Sequence, residues 1–194
     1  GFYNTSVGSL SLCQNTEGHS NTAVGREALR NNTTADGNTA VGINAMLSNT
    51  TGCENVAIGM CSLTTNQTGD FNIAIGKDAL KVNTADSNTA IGLCAMQANT
   101  SGGVNVAVGY EALEQNTTAG ENTGVGYRAL KGNTTGCQNA SFGTCSVYTN
   151  STGDANTGVG YKALFANTTA DGNTAFGFCS LTTNTTGTEN TAVG

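Results

Sequence analysis

Apolar and polar residues follow one another in a fixed order that returns along the whole chain. A short alternating stretch (polar, small, apolar) is closed by glycine, as in Thr22-Ala23-Val24-Gly25. Two variable residues follow, then a small residue and a large apolar one, as in Ala28-Leu29. The rest is a polar run, as in Asn31-Asn32-Thr33-Thr34-Ala35-Asp36-Gly37. Alternation predicts a short strand with two faces. The Asn/Thr/Gly-rich run predicts a turn.

The pattern restarts at Asn4, Asn21, Asn38, Asn55, Asn72, Asn88, Asn105, Asn122, Asn139, Asn156, Asn173 and Asn190. Each step is 17 residues except the 16 between Asn72 and Asn88, where one Thr is missing from NTADS. Eleven complete units and a stub form a single continuous array over residues 1–194, which reads as a fragment of a longer fibre. Self-similarity at a fixed period marks a repeat architecture.

Positions within a unit are numbered 1 to 17 from its first Asn. A helical-hairpin repeat needs more than about thirty residues. A unit of this size suits one coil of a β-solenoid (β-roll), with two short strands and two turns. Coils stacked at about 4.8 Å would give an all-β rod about 55 Å long. Position 4 is always Val, Ile or Phe, position 9 is Leu, Met or Val, and positions 3 and 8 are always small. Positions 4 and 9 are therefore the expected large core residues of each coil. With so little to bury, a thin coil is marginal, and packing against other copies, as a homotrimer sharing its long axis, is expected.

Two further rows are nearly or wholly invariant. Position 1 gives Asn21, Asn38, Asn55, Asn72, Asn88, Asn105, Asn122, Asn139, Asn156 and Asn173. Position 12 gives Asn32, Asn49, Asn66, Asn83, Asn99, Asn116, Asn133, Asn150, Asn167 and Asn184. Stacked Asn side chains at corners can bond their own turn and the Asn above and below. Both rows are expected to be structural ladders. Most position-12 Asn precede a residue and then Ser or Thr, but glycans every 4.8 Å or so would collide.

Composition narrows the picture. Apolar residues are 37% and charged residues only 10%, with 27 Gly and no Pro. Proline would remove a ladder donor from an interior strand. A net charge of −6 argues against a nucleic-acid groove. No apolar run approaches the length of a membrane span. No cluster of acids, bases or nucleophiles points to catalysis, and no ligand set for a metal or cofactor is visible.

The consensus N-T-A-V-G-x-x-A-L-x-x-N-T-T-G resembles repeats in the distal fibres of bacteriophage tails and in bacterial surface fibres. It is also similar to the head repeat of YadA-type trimeric autotransporter adhesins, with Asn55-Val56-Ala57-Ile58-Gly59 the nearest stretch. The resemblance implies a β-roll, a trimer, and a place in an extracellular or virion fibre.

Seven cysteines break the repetition. Cys53 and Cys61 lie eight residues apart, as do Cys137 and Cys145. Cys94 and Cys179 lie two coils further on, too far for bonding along the row. Cys53–Cys61 and Cys137–Cys145 are therefore the candidate disulfides, which would suit an extracellular setting. Tyr110, Tyr127 and Tyr161 at position 6 are candidate surface aromatics for stacking on sugars. The expected function is a structural or adhesive fibre module, with cell-surface glycans or a receptor as further partners. The alternative is an ice-binding solenoid, because position 13 is Thr in nine of eleven units.

Overall fold

A computed structural model describes all 194 residues. It contains no helix and twelve strands of three residues each, from β1 (Thr5–Val7) to β12 (Thr191–Val193). Each strand occupies positions 2–4 of a unit. All twelve form one parallel sheet in chain order. The register is one unit per step, as in Thr22↔Thr39, Ala23↔Ala40 and Val24↔Val41. The chain is a β-solenoid.

Each coil has one strand where two were expected. Positions 7, 9 and 17 adopt positive φ in nearly every coil, as at Glu27 (59°), Leu29 (49°) and Ser20 (56°). Such backbone breaks a strand, so the A-L segment becomes a compact turn. It still bonds to its neighbours: Leu29 N–H donates to Ala45 O, and Asn31 N–H to Leu47 O. The invariant glycine at position 5 has a direct cause. Gly25 sits at φ 131°, and a Cβ there would lie 2.5 Å from Gly42 O.

The core is thinner than the sequence pattern suggests. Position 3 points inward: Ala23, Ala40, Ala57, Ala74, Ala90, Ala107 and Ala175 are fully buried. They face position 8 and the large residue at position 9, such as Leu29, Met46, Leu63 and Leu113. A Cβ added to Gly124 at position 3 would touch Leu113 Cδ1 at 3.4 Å. The room between the two walls therefore takes one large side chain per coil. Position 4, expected in the core, lies on the outside, because a second large residue would not fit opposite position 9.

The 16-residue unit leaves a seam. In regular coils the position-13 amide donates to the position-13 carbonyl of the next coil, as Thr50 N–H does to Gln67 O. No such bond leaves the Gln67 amide. Asn83 there bonds only Ala85 O through Nδ2, while Asn66 Oδ1 accepts from Gly69 N–H instead.

Candidate functional site

Alternation along each strand decides what the rod presents outward. With position 3 inside, positions 2 and 4 form the outer face of the sheet. Position 2 carries Thr or a small or β-branched apolar residue. Position 4 carries only Val, Ile or Phe. Ile58, Ile73, Ile91, Val106, Phe142 and Phe176 are all more than a third exposed. Position 6 borders this face with Ile43, Met60, Leu93, Tyr110, Tyr127, Tyr161 and Phe178, also exposed.

Charge is absent from the same face. None of the 13 carboxylates lies at positions 1–6 of any unit. Only Arg26 and Lys77, both at position 6, bring cations to its border. The acids sit at positions 7, 10, 14, 16 and 17, on either side of the strip. The result is a carboxylate-free band, apolar along position 4, running the length of the rod. Its length of about 55 Å and width of about 13 Å give an area on the order of 700 Å².

The Asn rows work inside the wall. Asn38 N–H donates to Asn21 Oδ1 at 2.9 Å, and Asn55 N–H to Asn38 Oδ1 at 2.9 Å. From position 12, Asn49 Nδ2 donates to Asn32 Oδ1 at 2.9 Å. Both rows converge on one acceptor in every complete coil but the last, as where Gly52 O receives Asn38 Nδ2 at 2.8 Å and Asn49 Nδ2 at 2.9 Å. These Asn are fully buried through most of the rod.

Position 16 forms a third row that the sequence does not announce. Asp70 Oδ1 accepts from Cys53 N–H at 2.7 Å, and Asp154 Oδ1 from Cys137 N–H at 2.7 Å. These aspartates cap the coil before them. Cys53 does the same job with sulfur, its Sγ accepting from Asp36 N–H at 3.4 Å.

That role bears on the proposed disulfides. All seven cysteines are free thiols, and neither Cys53–Cys61 nor Cys137–Cys145 is bonded. Cys53 and Cys137 belong to the position-16 edge, where Cys137 Sγ donates to Thr135 O at 3.6 Å. Cys61 and Cys145 stand in the position-7 row of the turn. Cys94 in that row has its thiol pKa raised, by burial first and by the nearby Asp78 carboxylate second.

Comparison with family models, with curated proteins and with solved structures gives no match. The chemistry must therefore be read from the rows themselves.

The position-6 aromatics lie on one another. Tyr110 and Tyr127 stack at 5.3 Å, and Tyr161 and Phe178 at 5.2 Å. The Arg128 guanidinium covers both Tyr110 and Tyr127, at 5.7 and 5.0 Å. One face of each ring is already occupied, and none of the three tyrosines lines a groove. Beside them, Glu111 Oε2 accepts from Arg128 Nε at 2.8 Å and Lys131 Nζ at 2.6 Å. Burial alone would raise the Glu111 carboxyl. Hydrogen bonds from Lys131, Tyr110 and Arg128 outweigh it and hold the pKa at about 2.

The position-13 threonines are occupied too. Thr16, Thr33, Thr50, Thr84, Thr100, Thr117, Thr134 and Thr168 each donate a hydroxyl proton to the position-13 carbonyl of the next coil. This row stitches the corner together. The Thr residues that stand on the flat sheet are those of position 2.

Proposed function

We propose that the chain is a structural rod module of an extracellular or virion fibre, and that it assembles with copies of itself through the outer sheet face. Three chains about a shared long axis is the arrangement proposed. The observation that carries this reading is the unbroken row of Val, Ile and Phe at position 4, on a face that holds none of the carboxylates of an acidic chain. Its area is close to the ~800 Å² per partner of a standard protein interface. The likeness of the repeats to those of phage and bacterial surface fibres points the same way. In such a fibre the other rows present identical side chains at fixed spacing, a surface suited to adhesion.

Light scattering with low-resolution imaging tests the proposal. The expected result is the mass of three chains and a thin rod. A single-chain mass at all accessible concentrations would overturn it. Replacing Ile58, Ile75 and Ile91 together by Thr keeps β-branched strand residues while removing apolar area. That variant should keep its fold and shift towards single chains.

The ice-binding alternative uses the same face left open to water, with Thr at position 2 in eight of twelve strands. Thermal hysteresis from the unaltered chain, with no self-association, would favour it over the fibre.

A further inference from the structure

A repeat array makes every coil alike, so a feature confined to one stretch stands out. Aromatic residues are concentrated that way: eight of the eleven Tyr and Phe lie between Tyr110 and Phe178. Within this stretch a groove of about 370 Å³ opens at the corner formed by positions 10–13, away from the apolar strip. Tyr148 and Gly132 are among the residues that line it. Gly132 is the only glycine in the position-11 row.

Three features leave one face of Tyr148 open. Its far side is taken by Phe165, stacked at 5.1 Å and within 6° of parallel. The neighbour on its near side is Lys131, whose ammonium is drawn away to Glu111 at 2.6 Å and Glu114 at 3.1 Å. Gly132 adds no side chain to cover the gap. Like the position-6 tyrosines, Tyr148 has one ring face stacked on a neighbour, but it alone among the four lines a groove.

The polar lining has a definite sense. Thr134 Oγ1 donates to Ser151 O at 2.8 Å, Thr149 Oγ1 to Phe165 O at 2.8 Å, and Ser151 Oγ to Thr168 O at 3.0 Å. Their protons are committed to the rod, so the hydroxyl oxygens face the groove as acceptors. The exposed Gln115 side-chain amide makes no hydrogen bond within the chain and offers both a donor and an acceptor. The Lys131 charge is already neutralised by two carboxylates. The groove thus wants a ligand with hydroxyl donors and an apolar face. It offers nothing in particular to an anion.

We propose that this groove is a binding site for a neutral hexopyranose, the sugar's C–H face resting on Tyr148 and its hydroxyls meeting Gln115, Thr134, Thr149 and Ser151. One site serves each chain. It lies away from the self-association face, so the assignment stands whether or not the chains assemble. One ring and a few hydrogen bonds give millimolar affinity for a single sugar. An array of parallel chains would raise it by multivalency.

The test is an NMR titration of the full chain with the methyl glycosides of glucose, galactose, mannose and N-acetylglucosamine. At least one should show saturable binding, with ring-current shifts on its C–H protons and perturbation of residues 115, 132 and 148–151. Tyr148→Leu should weaken that binding by about tenfold, and Gln115→Ala should weaken it to a lesser degree. Tyr161→Leu should leave it unchanged. Dispersed amide spectra confirm that each variant is folded. The proposal is overturned if no glycoside perturbs these residues. It is also overturned if binding survives undiminished in a folded Tyr148→Leu protein, or if inorganic phosphate displaces the sugar.

Discussion

Single residues carry an unusual amount of backbone strain in this fold. Thirty-two non-glycine residues have positive φ, a conformation that disfavours Cβ by roughly 1–2 kcal/mol. Val104 is the plainest case: β-branched, φ 59° and 62% exposed. Two other coils place Gly37 and Gly172 at the same position 17. Val104→Gly should therefore raise stability by about 1 kcal/mol, seen as a higher urea midpoint. The opposite effect is expected within the ladders. Asn122 Oδ1 accepts both the N–H and Nδ2 of Asn139. Asn122→Ala would orphan that buried amide, so a loss of about 2–4 kcal/mol is expected by the same measurement. The Asn rows were legible in the sequence because their identity never changes. The left-handed positions were not, because Leu, Glu, Cys and Arg fill them. Asn44 at position 7 and the two glycines at position 17 were the only local signals.

Within one coil, alternation makes two faces but does not say which is inside. Position 4 is the more apolar, and burial on that ground alone would place it in the core. The cavity decides otherwise. Position 9 already fills the space between the walls, so only Ala, Gly or Ser fits opposite it. The same limit explains why the sequence revealed the site only in part. An exposed apolar row reads in one dimension just like a buried one, and the free face of Tyr148 depends on where Lys131 turns. Coils also lock to one another through charge. Glu111 on one coil holds Arg128 and Lys131 on the next. Its folded pKa, about 2, lies below the ordinary 4.5. A depressed carboxyl contributes stability that is complete above its unfolded pKa and is lost as pH falls towards the folded one. Thermal stability should thus drop between about pH 4.5 and 2, and Glu111→Gln should flatten that part of the profile.

For the molecule as a whole, each coil touches only its neighbours, and stability adds up along the stack. If the apolar strip pairs with other copies, burial of that strip adds a term that depends on concentration. The melting temperature should then rise with protein concentration in the parent and stay flat in the Ile58/Ile75/Ile91→Thr variant. Cooperative transmission along the stack meets one interruption. At the Gln67–Asn83 corner a residue is missing, and two of the cross-coil contacts found in regular coils are missing with it. Four complete coils lie before that joint and seven from it onward. A shaft built this way has a set place to yield. Under bending or partial melting it parts there first, into two blocks that each keep their own ladder, while fraying from either tip remains a separate event.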